Sequence, residues 1–274
     1  KDLIHPDSLA LAGDGTPVVT SHRERKKRIC NCKENGITEC DCNRFFSQPD
    51  CDMGWDSSRD CFYHGYDLYM LVDSQSDLPV FPHFSCASKH DSHGFLHAFF
   101  RMRAFLPEYK VSKIILDSAH DAMPYYQYFK RENITPFIDL NGKGGRPPVY
   151  KNDFTIDNDG VPICPAGCRM HRDGIEAAKG RMKFKCPKMC RKNGCISCTC
   201  ETPCSDAKYG RTVHLVLNDN PRLFNNPPRS SEEWKKEYNA RTSVERSNKR
   251  EKIDFKLESG RHRSTKMWYC RLYH

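Results

Sequence analysis

Two short apolar, β-branched runs each present an aspartate, and this limits the fold more than any other feature of the chain. In Leu9 to Thr20, Asp14 stands between glycines near the middle of a predicted strand. Val111 to Asp117 is a compact apolar run bounded by polar residues, which suits a central buried strand ending at a carboxylate. Phe62–Val72 and Leu78–Phe84 read as a hairpin joined by the polar turn Asp73 to Asp77. His93 to Leu106 places Phe95, Leu96, Phe99, Phe100 and Met102 on one helical stripe, with Asp91 or Ser92 as N-cap and Pro107 as its end. A helix through Tyr125–Lys130 and a strand at Ile134–Asp139 follow, before Gly142 to Pro148 breaks the pattern. Strand, hairpin, helix, strand, helix, strand is an α/β order.

The chain has 274 residues, enough for one large domain or one domain carrying a sizeable insertion. The expected division is a first core segment at 1–142, an insertion at 143–228 and a closing helical region at 229–274. The first segment includes a cysteine-bearing basic loop at about 22–60, with Arg23, Arg25, Lys26, Lys27 and Arg28. In the insertion Gly, Pro, Asn and Cys dominate, and Thr212–Leu217 is one of few regular runs. In the closing region Ser230 as N-cap and Glu233 form a capping box, and the helix is expected to reach about Leu257.

The net charge is +9, and the excess is concentrated: from Arg229 to His274, 13 Lys or Arg stand against 7 Asp or Glu, a net +6. Such a surface favours a polyanionic partner, although a solvated helix would share it. No run approaches the roughly 20 apolar residues of a membrane span, so the chain is read as soluble. It opens on Lys1 rather than Met, and an upstream segment is expected.

In the closing helix, Tyr238, Arg241, Glu245 and Lys252 follow one another at spacings of 3, 4 and 7. On a straight α-helix they fall within an arc of about 60° and line one face. The bland reading is an ion-pair stripe on a solvated surface. However, Tyr238-x2-Arg241-x3-Glu245-x6-Lys252 resembles the YREK signature of DDE transposases from bacterial insertion sequences. Leu11 to Thr16 is similar to the first-aspartate strand of that family, and Ile114 to Asp121 to the second.

The resemblance implies an RNase H-like fold. A mixed sheet flanked by helices would bring Asp14 and Asp117 together, a helix would deliver Glu245, and the Cys-rich, mostly irregular or β insertion would lie between the second and third acidic residues. It implies a transposase core that hydrolyses phosphodiesters at transposon ends and transfers strands with the freed 3′-hydroxyl. Asp14, Asp117 and Glu245 would be catalytic and hold two magnesium or manganese ions, which suit hard oxygen ligands. Arg241 and Lys252 would grip phosphates, and Tyr238 would contact the transposon-end backbone. The partners would be double-stranded DNA and a second copy in a synaptic homodimer, in the prokaryotic cytoplasm at the nucleoid, with no membrane. A decayed or domesticated DNA-binding relative, or a nuclease that does not join strands, is the alternative. Many relatives carry Gly-Tyr shortly after the second aspartate, where this chain has Ala119-His120, and Asp121 competes with Asp117. Asp67 and Asp73 rival Asp14 less, as each reads as an exposed turn carboxylate.

Sixteen cysteines, clustered at short spacings in a long basic chain, read as thiolate zinc ligands rather than a disulfide scaffold. Within the insertion, Cys164, Cys168, Cys186 and Cys190 form one candidate zinc set, beside Cys195, Cys198, Cys200 and Cys204. Disulfides or buried free thiols are the other readings, and spacing does not decide which four share a metal. Cys30, Cys32, Cys40 and Cys42 have the pairing of a single further site. His90, His93 and His97 read as a helix start and surface rather than as ligands.

Overall fold

The computed structural model describes all residues except 1–2, 21–23, 29, 41–43, 47, 49, 142–148, 151–153, 158, 193–194, 202, 263 and 274. The expected break at Gly142–Pro148, the side chains of the basic run and Cys42 fall outside the described residues. The chain divides into two compact units: Lys1–Leu116 with Ala240–His274, and Asp117–Asn239.

The first unit is mixed α/β. After β1 (Leu9–Val19) come a ribbon of β2 (Glu24–Arg28) and β3 (Arg44–Phe46), then β4 (Asp52–Asp56), β5 (Cys61–Asp73), β6 (Pro79–Cys86) and β7 (Val111–Leu116). The sheet runs β4-β5-β1-β7, with β6 also paired to β5. β1 is antiparallel to β5 and parallel to β7, so the sheet is mixed. The apolar runs account for β1, β5, β6 and β7. The 22–60 segment is not loop throughout, because β4 pairs with the start of β5 although it lacks β-branched residues.

Helix α1 (Asp91–Phe105) begins two residues before the expected start, because His90 caps it by accepting from the Ser92 N–H. Phe95, Phe99 and Met102 are buried, while Leu96 and Phe100 stay largely exposed, so the apolar stripe is narrower than expected. Helices α2 (Met123–Arg131) and α3 (Glu232–Asn239) belong to the second unit; α4 (Thr242–Lys249) and α5 (Thr265–Tyr273) return to the first. Tyr69 and Tyr66 leave β5 on opposite faces. Tyr69 packs on Phe95 of α1, and Tyr66 on Trp268 of α5, both with ring centroids 6.0 Å apart. Helices therefore cover both faces, which is why β5 is buried from Tyr63 onward. Gly65 is the tight point: a Cβ there would lie 2.0 Å from the Val18 carbonyl.

On β6, burial beside His97 and Arg101 pushes the His83 imidazole down to about 4. Its unfolded value is near 6.5, so the unfolded chain takes up the proton first and the contribution to stability is lost as pH falls from about 6.5 to about 4. His83→Phe is expected to flatten the pH dependence of urea unfolding across that window. An unchanged slope would count against a neutral, half-buried His83.

The second unit contains β8 (Thr135–Ile138) and small antiparallel sheets. β9 (Val149–Tyr150), β10 (Phe154–Ile156) and β11 (Pro162–Ile163) form one. β12 (His171–Glu176), β13 (Arg181–Lys185) and β16 (Thr212–Val216) form another, and β14 (Met189–Lys192) pairs with β15 (Cys195–Cys198). Phe154, Ile156, Met182, Phe184, Leu215 and Phe224 share one core, so this region buries more apolar surface than its composition suggests.

The expected single closing helix is interrupted. Ser231, not Ser230, caps α3, its hydroxyl accepting from the Trp234 N–H at 3.2 Å. At Ala240 and Arg241 the chain tightens: Ser243 N–H bonds to Ala240 O and Val244 N–H to Arg241 O, three residues apart. Beyond α4, residues Arg250–Asp254 widen into a π-helical turn. Bookkeeping at 100° per residue therefore does not hold from Tyr238 to Lys252.

Candidate metal and phosphate site

β7 sets Ile115 beside Ala12 of β1, and Asp117 follows Leu116 directly. Asp14 stands two residues further along β1. In the first unit, Asp14 and Asp91 belong to an acidic group placed closely enough to hold a metal ion. Hard oxygen donors in this number fit magnesium or manganese. Asp91, taken from sequence as a helix cap, is the member that pattern reasoning missed; its place in the first turn of α1 brings it there.

Glu245 is not a member of that carboxylate cluster. It is joined to Asp14 through Arg241, whose Nη1 lies 3.3 Å from Asp14 Oδ2 and whose Nη2 pairs closely with Glu245. The Arg241–Glu245 pair is the i,i+4 contact that a solvated stripe would make. A stripe would not reach Asp14, 227 residues away. Lys252, in the π-helical turn, points into the unit: its Nζ donates to the Pro17 carbonyl at 2.6 Å and lies 3.4 Å from Glu258. Tyr238, in the second unit, stacks on Trp234 with centroids 4.6 Å apart.

A cleft of about 420 Å³ opens here, lined by Asp14, Glu245, Arg59, Lys249 and Lys252 among others. Acidic and basic groups thus share one surface, an arrangement that can hold a cation and the phosphate bound to it.

Around Asp117 the geometry separates two candidates. Asp117 Oδ1 takes the Ala119 N–H at 3.1 Å and lies 2.7 Å from Nδ1 of the buried His120. Asp121 has a fully buried side chain gripped by Arg222 at 2.8 and 2.6 Å, with Tyr126 Oη at 3.0 Å and the Asn141 N–H at 2.8 Å. Its oxygens are saturated by donors, so it serves structure rather than ligation. Asp67 and Asp73 are buried, against expectation. Asp73 does hold its turn, accepting from the Ser76 N–H and hydroxyl. Asp67 sits inside β5, which is buried on both faces from Tyr63 onward.

Cys30, Cys32 and Cys40 also bring one sulfur each within 4.8 Å of the others, a soft donor set. In the second unit, burial raises the Cys186 thiol, and neighbouring Cys198, Cys164 and Cys168 add to the shift. Burial likewise raises Cys204, with Cys164 and Cys186 contributing. Cys190 lies on β14 opposite Ser197. Among the described residues no three of the second unit's thiols converge as Cys30, Cys32 and Cys40 do. No described helix is long and apolar enough to cross a membrane. No protein-family model matches the chain, and no curated protein matches it.

Proposed function

We propose that the chain is the catalytic core of a DDE transposase with an RNase H-like fold, cutting and rejoining DNA phosphodiesters at transposon ends. The observation that carries this reading is the tie of Asp14 to Glu245 through Arg241, beside a cleft that Arg59, Lys249 and Lys252 line. The YREK resemblance points to the reaction, and the geometry around Asp14 supports it.

Asp14, Asp117 and Glu245 provide the carboxylates. Two bound magnesium or manganese ions would stabilise charge on the attacking and leaving oxygens of an in-line displacement. Arg241 neutralises Asp14 and Glu245 together, and its release to a phosphate would accompany loading of the site. Arg59 and Lys249 reach the DNA backbone from the cleft wall, while Lys252 orients β1 through Pro17. Tyr238 contacts the transposon-end backbone. Cys30, Cys32 and Cys40, with Cys42, hold a structural zinc, and thiols of the second unit hold another. The partners are double-stranded DNA and a second copy of the chain, in a prokaryotic cytoplasm at the nucleoid.

The test is a cleavage and strand-transfer assay with magnesium, using supercoiled plasmid and a duplex with a free 3′-hydroxyl. Joined product is expected. Cleavage without joining would make the protein a nuclease, and no product from the unaltered chain would sink the catalytic reading. His120→Phe keeps the buried volume and removes the Nδ1 contact to Asp117. It is expected to lower cleavage about 10–100-fold with little change in thermal unfolding. Unaltered cleavage would show that Asp117 needs no such partner.

A further inference from the structure

A cavity of about 250 Å³ opens in the second unit among α2, the segment leading into β8 and the segment after β16. Ile134, Pro136, Leu217 and Phe224 give it apolar walls. No carboxylate lines it, and its one charged lining residue is Lys130, whose ammonium pairs with the Asn218 amide oxygen and makes no ion pair among the described residues. Asn225 also lines the cavity and is 7% exposed. Its Oδ1 accepts from Arg229 Nη1 at 2.9 Å. A guanidinium only donates, so Arg229 fixes which way the amide faces, and Nδ2 is the atom turned away. That nitrogen is buried without a hydrogen-bond partner among the described residues. A donor already stripped of water and left unpaired is costly, and it favours an acceptor that enters the cavity.

We propose that this cavity binds a small carboxylate with an apolar body, one oxygen meeting the Asn225 amide and the other the Lys130 ammonium, which exchanges its amide partner for a charge. A charge-assisted bond is roughly twice as strong as the neutral contact it replaces. Volume sets the size of the ligand: sites for drug-sized molecules span about 300–1,000 Å³, so about 250 Å³ fits a single ring or a short branched chain and not a nucleotide. The apolar walls hold the body, and the two donors select the anion. Every lining residue belongs to the second unit and none has a part in the proposed DNA chemistry, so this site stands or falls by itself.

The experiment is titration of the full chain with sodium phenylacetate, followed by calorimetry and by thermal shift, against sodium chloride at equal ionic strength. Saturable binding with a dissociation constant below about 1 mM is expected. Phenylacetamide keeps the ring and loses the charge, and is expected to bind at least about 10-fold more weakly. Lys130→Met is expected to weaken phenylacetate binding about 10-fold. Asn225→Asp keeps an oxygen for Arg229 and puts a second one where Nδ2 stood, so binding is expected to be lost while the unliganded melting temperature holds. No saturable binding of phenylacetate, or equal binding of phenylacetamide, overturns the proposal. Unaltered binding in either variant does the same. Lys130 is exposed, so Lys130→Met decides the matter even where Asn225→Asp fails to fold.

Discussion

Asp14→Asn is expected to reduce DNA cleavage by at least about 10³-fold, equivalent to about 4 kcal/mol of lost transition-state stabilisation. Asp14 is the residue on which the lines of geometry meet: it belongs to one acidic group with Asp91, and Arg241 links it to Glu245. The substitution removes one charge and keeps the shape. The Asp14–Arg241 pair is only partly buried, so its loss costs little stability. A plasmid-nicking time course measures the rate, and a melting curve on the same sample separates chemistry from unfolding. Cleavage within about tenfold of the unaltered rate would remove Asp14 from the catalytic set.

Arg229→Met is expected to destabilise the chain by about 3–5 kcal/mol. Arg229 is a buried guanidinium that donates to Ile138 O at 2.9 Å, Arg222 O at 2.7 Å, Asn225 Oδ1 at 2.9 Å and Tyr126 Oη at 2.8 Å. Desolvation lowers its pKa, yet these oxygens and the Tyr126–Asp121–Arg222 network repay the charge. Methionine fills the volume and leaves buried acceptors without donors, each costing about 1–3 kcal/mol. Urea unfolding gives the difference. A loss under about 1 kcal/mol would mean that water replaces the guanidinium.

Much of the first unit was legible because its elements obey single-residue rules. The β-branched runs at Leu9 and Val111, the hairpin around Asp73–Asp77 and the apolar stripe ending before Pro107 each announce themselves locally. What was hidden depends on partners distant in sequence. β4 forms because β5 offers it an edge, not because Asp52–Asp56 favours a strand. Ala240 and Arg241 contain nothing that forbids a straight helix, so the tightening there carried no signal. Asp67 was read as a turn residue although it lies six positions before the turn, and only pairing with β1 shows why it is buried. Asp91 was seen as a cap, a local role that masks its place beside Asp14. Ala119-His120 looked like a mere departure from the family pattern, whereas His120 supports Asp117.

The first unit is discontinuous, closed by residues 240–274 after the whole of the second unit has been threaded through. During vectorial synthesis Asp14 therefore waits 227 residues for Arg241. At about 5–20 residues per second that interval is on the order of 10–45 s. β1 can pair with β5 and β7 in that time, but the acidic edge remains without its guanidinium and the cleft without its far wall. A nascent chain would thus hold Asp14 uncoupled from Glu245 until the segment from Arg241 onward has been made.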